Sequence, residues 1–311
     1  MQPKKVLVIG KNGQLGSSIK KLVEDSSQMH PVTSGVEFAF VSREELDLAS
    51  QDSITTFFAK NTYSIIINCA AYTAVDKAET DAELADLINH QAVKMLAKIA
   101  QQQNAVLIHV STDYVFNGEN FKPYVESDSV DPQGVYGLTK LKGEQAFLEV
   151  NPKGCIIRTS WVYSEFGNNF VKTMLRLGKE RDELGVIFDQ VGTPTYATDL
   201  AAAILAMLNS ECSMLNEANT DSMQNASCKI YHYSNEGVCS WYDFAKTIFE
   251  LSGIECRVNP IETKDYPTPA KRPHYSVMNK AKIKADFDLQ IPYWCDSLRQ
   301  CLMHISKLRN D

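Results

Sequence analysis

Tyr136-Gly-Leu-Thr-Lys140 places a phenol and an ammonium four residues apart. On a helix that spacing puts both side chains on one face. A phenol can hand a proton to a carbonyl oxygen while hydride reaches the carbonyl carbon. A free phenol has a pKa of about 10, which suits it poorly to proton exchange at neutral pH. A neighbouring ammonium favours phenolate and lowers that value. In isolation the pattern is equally a half-buried tyrosine beside a solvated lysine. Ser111 and Thr112 give it company. A hydroxyl from that pair can donate to the same carbonyl oxygen and stabilise the charge that develops there; alone, it would only satisfy a strand end.

These groups meet only if strands and helices alternate. Apolar runs at Lys5–Ile9, Val36–Val41, Tyr63–Asn68, Ala105–Val110 and Cys155–Arg158 predict strands. Gln14–Val23, Ser50–Asn61, Asp81–Gln103 and Tyr136–Val150 predict helices between them. Strands that are nearly continuous in apolar residues belong to a parallel sheet covered on both faces. Right-handed crossovers then make an α/β, doubly wound, Rossmann-type sheet. Ser111 and Thr112 follow the fourth strand, at the carboxyl edge where such sheets hold ligands. The second half is less regular. Helices are expected at 168–177, 198–209, 240–251 and 293–307, with strands at 186–188 and 229–233. The polar stretch Ser210–Ser227 reads as a surface loop. Residues 259–276 hold Pro260, Pro267, Pro269 and Pro273 and read as irregular.

Gly10-Lys-Asn-Gly13-Gln-Leu-Gly16 closes the first strand and opens the first helix. Gly10 permits a tight turn, Gly13 lets a pyrophosphate approach the backbone, and Gly16 lets the helix pack close to the strand. Asn12, Gln14 and Leu15 complete the turn, whose free N–H groups suit phosphate charge. At the end of the second strand an acid would bind the adenosine ribose and repel a 2′-phosphate. Ser42 and Arg43 stand there instead and favour NADPH; Glu44 and Glu45 follow closely and leave NADH open. Residues 1–160, with 186–209 and 229–251 returning to them, are expected to form the NAD(P)-binding domain. Residues 161–185 and 252–311 are expected to form a smaller substrate-binding domain.

Six segments together resemble one group of the extended short-chain dehydrogenases, the dTDP-4-dehydrorhamnose reductases. They are the glycine turn, Asn68-Cys-Ala-Ala-Tyr-Thr-Ala-Val-Asp-Lys-Ala-Glu79, Ser111-Thr-Asp-Tyr-Val-Phe116, Tyr136-Gly-Leu-Thr-Lys140, Arg158-Thr-Ser-Trp-Val-Tyr163 and Asp189-Gln-Val-Gly-Thr-Pro-Thr195. The resemblance runs from residue 1 to about 205, and more loosely through Arg272-Pro273 to the end. It implies reduction of the C4 ketone of dTDP-4-dehydro-L-rhamnose, with Thr112 as hydroxyl partner, Tyr136 as proton donor and Lys140 as ribose-binding, pKa-lowering residue. It also implies that Ala70, Ala71 and Tyr72 pass beside the cofactor and that Asp47 and Leu48 lie near the adenine. Thr73, Val75, Tyr114 and Trp161 would contact the sugar nucleotide; a flat indole face also suits a sugar ring or a base. Ser210–Ser227 has no counterpart in the family pattern. Some members of the group dimerise around a divalent metal held by glutamates; those glutamates have no match in this sequence, so no metal is expected.

Composition narrows the alternatives. Of 311 residues 44% are hydrophobic, which allows a sizeable core. A net charge of -7 speaks against nucleic-acid binding. The eight cysteines and six histidines show no zinc-like spacing. No run is long enough for a membrane span, and the N-terminal Val6–Ile9 run is too short for a signal peptide, so a cytoplasmic monomer or homodimer is expected. One rival is a nucleotide-sugar epimerase or dehydratase of the same fold. A dehydratase usually carries Asp-Glu after the strand-four hydroxyl, where this chain has Asp113-Tyr114. Another rival is a non-catalytic NADP-binding subunit like that of methionine adenosyltransferase.

Overall fold

A computed structural model of the chain describes residues 4–25, 36–216 and 229–308. Its first half runs β1 (Lys4–Ile9), α1 (Gln14–Glu24), β2 (Val36–Val41), α2 (Gln51–Lys60), β3 (Ile65–Asn68), α3 (Val75–Ala78), α4 (Ala82–Asp86), α5 (Ala92–Gln102), β4 (Val106–Thr112), α6 (Val135–Val150) and β5 (Gly154–Thr159). The second half adds β6 (Val162–Tyr163), α7 (Phe170–Glu180), β7 (Glu183–Ile187), β8 (Val191–Gly192), β9 (Thr195–Tyr196), α8 (Ala197–Asn216) and β10 (Lys229–Tyr233). It ends with β11 (Cys239–Ser240), α9 (Trp241–Ser252), β12 (Arg257–Ile261), α10 (Ala281–Phe287) and α11 (Trp294–Lys307).

β1 to β5 and β10 form one parallel sheet in the order β2-β1-β3-β4-β5-β10. Successive side chains alternate between its faces. Val6, Val8, Ile65, Ile67, Val106 and Ile108 pack with Leu15 and Ile19 of α1 and Leu200 and Ile204 of α8. Leu7, Ile9, Ile66, Leu107 and Ile156 pack with Ile54 of α2, Leu96 of α5 and Phe147 of α6. Both faces are covered, so the central strands carry apolar residues on both faces rather than at every second position. The winding reverses between β1 and β3, and the crevice at a reversal is where an open sheet takes its ligand.

The structure departs from the sequence reading at several places. β4 continues through Thr112, so Ser111 and Thr112 are its last residues rather than the start of a loop. The long helix expected over 81–103 carries a π turn at Leu87–Gln91. α8 runs on to Asn216, through Glu211, Met214 and Leu215, which favour helix; the rest of the expected loop, 217–227, lies outside the described residues. Arg257–Ile261 is a strand despite Pro260, because β12 pairs only with β7. An edge position spares the proline a missing ladder bond.

A second core lies under α7, α9 and α11, where Val171, Leu175, Phe244, Ile248, Leu298 and Ile305 meet Leu184, Val186 and Tyr163. The stretch 229–251 is therefore split: β10 completes the sheet, and α9 belongs to this second core. Gln14 links the cores. Its amide donates to the Val162 carbonyl at 3.1 Å and its carbonyl accepts from Asn169 Nδ2 at 2.9 Å. The Glu165 carboxylate adds a second link, taking Lys21 Nζ of α1 at 2.8 Å and the Tyr196 hydroxyl at 3.0 Å. Among the described residues no helix is long and apolar enough to cross a membrane. No His, Cys, Asp and Glu cluster among them could hold a metal ion.

Candidate active site

The glycine turn sits at the carboxyl end of β1. Gly10 has φ of 92°, and its N–H donates to the Val41 carbonyl at 2.9 Å. A Cβ on Gly16 would stand 2.2 Å from the Gly10 carbonyl oxygen, so α1 can start this close to the strand only without one. No side chain caps α1. Its first N–H groups are left for an anion, and the helix dipole adds to their pull. Ala70, which follows β3, packs on Gly10. The cradle fits a dinucleotide pyrophosphate. Asn12 is exposed beside it, whereas Leu15 is buried in the sheet core and offers only its backbone.

The end of β2 is wired differently from the sequence expectation. Ser42 gives both its N–H, at 2.6 Å, and its hydroxyl, at 2.9 Å, to the Glu45 carboxylate. Lys11 Nζ lies 2.7 Å from the same carboxylate. That lysine, with the Ser42 bonds, holds the Glu45 carboxyl down at about 2. Arg43 is exposed and held only loosely to Asp47, 3.3 Å away. Asp47 is further fixed by the Ala49 N–H, and Leu48 beside it is buried. Two cations, Lys11 and Arg43, thus stand at the carboxyl end of β2, each beside a carboxylate. The sequence reading named only Arg43.

Thr112, Tyr136 and Lys140 come together at the carboxyl edge. Gly137 makes this possible, since a Cβ there would stand 2.3 Å from the Tyr114 carbonyl and push α6 away. Thr112 Oγ1 donates to Asp113 at 3.0 Å and accepts the Tyr114 N–H at 3.2 Å. Tyr136 is buried, and its phenol lies beside the Thr112 hydroxyl. Burial pushes the phenol up to about 12; the Thr112 hydroxyl opposes this and Asp113 adds to it. This corrects the expected lowering by Lys140. The lysine ammonium is turned toward β4, donating to the Val110 carbonyl at 2.7 Å.

Burial pulls the Lys140 ammonium down to about 8, with the Glu144 carboxylate opposing. His109, 3.4 Å from Lys140 Nζ, is kept neutral by burial and by that lysine. Its Nδ1 faces Asn68 Nδ2 at 3.2 Å, while the Asn68 carbonyl takes the Ala70 N–H. Both ring nitrogens of His109 thus face a donor, Asn68 Nδ2 on one side and the Lys140 ammonium on the other. Raising the pH through about 8 should discharge Lys140. We expect kcat/KM to fall above that point with a one-proton slope, read from a pH–rate profile; a profile flat well into the alkaline range would remove Lys140 from the mechanism.

Tyr72, Val75, Tyr114 and Tyr136 share one apolar cluster, with Tyr114 set edge-on to Tyr136 at 5.4 Å. The Tyr72 phenol is tied off to Asp81 at 3.0 Å. Ala71 is half-buried beside it and Thr73 is exposed. Asn89, missed in the sequence, sits in the π turn and clamps both sides of the Tyr72 peptide. It also donates to Thr139 at 3.2 Å. The buried Glu144 is also new. It takes Arg158 at 2.7 Å and the Ser111 hydroxyl at 2.5 Å, which assigns Ser111 to the floor of the site rather than to its chemistry. Trp161 stands beyond β5 with a left-handed backbone, φ 49°.

The pattern of the family described as the RmlD substrate binding domain matches residues 4–307. The dTDP-4-dehydrorhamnose reductase of Aggregatibacter actinomycetemcomitans is 40% identical over 302 residues, 95% of this chain and 97% of that protein. The crystal structure of a dTDP-4-dehydrorhamnose reductase from Clostridium acetobutylicum superposes with a TM-score of 0.86 at 40% identity, covering 97% of this chain and 99% of that one. The Bacillus anthracis dTDP-4-dehydrorhamnose reductase, solved in complex with NADP, gives 0.84 at 35% identity, over 97% and 99% of the two chains. A tyrosine and a lysine one turn apart on α6, a hydroxyl closing β4 and likeness along nearly the whole chain lead to one assignment: this chain belongs to the RmlD substrate binding domain family, that of the dTDP-4-dehydrorhamnose reductases.

Proposed function

We propose that the chain reduces the C4 ketone of dTDP-4-dehydro-L-rhamnose to the alcohol of dTDP-L-rhamnose, using NADPH. The observation that carries this is the buried Thr112–Tyr136 pair at the carboxyl edge of β4, one helical turn from Lys140. When bound, the nicotinamide supplies the hydride. The chain supplies the rest. Tyr136 is protonated at neutral pH, its phenol standing at about 12, and is therefore in the form that gives a proton to the ketone oxygen. The Thr112 hydroxyl, which donates to Asp113 at 3.0 Å, turns that proton to the ketone oxygen as charge builds on it. Lys140 donates one proton to Val110 and keeps N–H groups with which to grip ribose hydroxyls. We assign Tyr72, Ala70 and Ala71 to the cofactor's wall, and Thr73, Val75, Tyr114 and Trp161 to the sugar nucleotide. The second core, under α7, α9 and α11, serves in this reading as the main part of the substrate-binding domain.

The test is consumption of NADPH with dTDP-4-dehydro-L-rhamnose, with the product identified by NMR. Absence of turnover alongside tight cofactor binding would favour the non-catalytic reading. Cofactor retained through purification would favour an epimerase. The dehydratase reading lacks its second acid, because Tyr114 occupies that place and packs on Tyr136.

For the cofactor's 2′-phosphate we assign Arg43 and Lys11. Arg43→Ala should weaken NADPH roughly tenfold, the size of one charge-assisted hydrogen bond, and leave NADH nearly unchanged. Titration of both cofactors by fluorescence reads this out; equal weakening of the two would remove Arg43 from the phosphate site.

A further inference from the structure

Trp161 stands two residues beyond Thr159, and Thr159 is the register partner of Thr112 across β5 and β4. The chain therefore carries Trp161 away from the carboxyl edge of the sheet, the edge that Thr112 closes. Its left-handed backbone is unfavourable for a residue with a Cβ and persists only where the surroundings over-determine it. Two hydrogen bonds help: Thr195 N–H donates to the Trp161 carbonyl at 3.2 Å, and Ser160 Oγ donates to the Thr193 carbonyl at 2.8 Å. Gly192 makes room, since a Cβ there would stand 2.9 Å from Cε2 and Cζ2 of the indole.

The largest contact is Trp241. The two indoles lie face to face, with ring centroids 3.6 Å apart and planes 12° from parallel. Trp241 is the first residue of α9, and its place is fixed from both sides. Ser240 and Asp243 form a reciprocal capping box at the start of that helix. β11 pairs antiparallel with β8, setting Cys239 opposite Gly192. Phe170 supports Trp241 from the side at 4.7 Å. An ordinary core pair would be fully buried, as Trp294 is at 5% exposed. Trp161 and Trp241 are both only partly buried, so the stack lies at a surface.

We infer that Trp241 is a positioning residue for the sugar nucleotide: it covers one face of Trp161 and holds the strained indole at the angle at which its remaining surface meets the deoxysugar. This rests on the reduction proposed above. It adds a residue outside the six segments that carry the family resemblance.

Trp241→Ala should raise KM for dTDP-4-dehydro-L-rhamnose roughly tenfold and leave kcat and NADPH affinity within about twofold, the loss expected of one aromatic stack. Trp241→Phe should keep KM within about twofold of wild type, because a phenyl ring still offers a flat face. Two indoles this close couple optically. The far-ultraviolet circular dichroism should show an exciton couplet that disappears in Trp241→Phe and in Trp161→Phe, and that shifts when dTDP-L-rhamnose is added to the wild-type chain. A purely structural stack would not respond to the nucleotide. Should Trp241→Ala fail to fold, Trp241→Leu keeps the apolar bulk without a flat face and should show the same rise in KM. A wild-type KM in either variant overturns the inference. So does a couplet indifferent to the nucleotide in a wild-type enzyme that turns over. A wild-type chain that does not turn over the substrate fails the function reading first, and this inference falls with it.

Discussion

Tyr136→Phe should lower kcat by about a thousandfold, the loss expected when a positioned proton donor is removed, while NADPH affinity stays within about twofold. The phenol is buried beside Thr112, and its ring stacks edge-on against Tyr114. Phenylalanine keeps that ring in the same apolar cluster and deletes only the oxygen. The fall should appear in kcat and kcat/KM together, because the interaction lost is made to the developing alkoxide and not to the ground-state ketone. Steady-state kinetics with a fluorescence titration of NADPH separates the two effects. A variant within tenfold of wild type would mean that the proton comes from elsewhere, and Thr112 would be the next group to test.

Glu144→Ala should cost about 3–5 kcal/mol of stability, the penalty for leaving a buried charge without its partner. Arg158 and Glu144 are 3% and 1% exposed at their side chains. Nε and Nη2 of the guanidinium both reach the carboxylate, and the cation lies over the Phe116 ring at 5.1 Å. Removing the carboxylate strands that cation beneath the active site. Denaturant titration measures the loss. Glu144→Gln adds a functional readout, since Glu144 is the group that holds the Lys140 ammonium up against burial. Without its charge the Lys140 pKa falls further, and the alkaline fall in kcat/KM should move to lower pH. An alkaline limb unmoved in Glu144→Gln would show that the carboxylate does not act on Lys140.

The sheet was legible because five of its strands are short apolar runs buried on both faces, a pattern that survives without any neighbour being known. Gly10 and Gly16 were legible for a similar reason: backbone demands of that severity admit one residue type. Thr112, Tyr136 and Lys140 were legible as spacing, although the direction of the tyrosine's pKa was not. Four residue types apart say nothing about burial, and burial decided it. Pairings across long stretches of chain left no local signal. Lys11 and Glu45 are 34 residues apart, and Trp161 and Trp241 belong to different elements of the second half. Asn89 was hidden for another reason. A polar residue in a helical run reads as solvated, and only the π turn aims it at the Tyr72 peptide. β12 was hidden by Pro260, which argues against a strand until the strand is known to lie at an edge.

The place of β10 in the sheet bears on how the chain is made. β5 ends at Thr159 and its outer neighbour begins only at Lys229. A ribosome delivering the protein from its N-terminus therefore releases β5 with one edge of backbone N–H and carbonyl groups open, flanked by Ile156 and Ile157, while most of the second core is still being synthesised. Open apolar edges of this kind recruit other strands. The nascent chain passes through a window in which Thr112, Tyr136 and Lys140 have all been synthesised but its sheet is unfinished, and the halves of the protein cannot be expressed apart without making that window permanent.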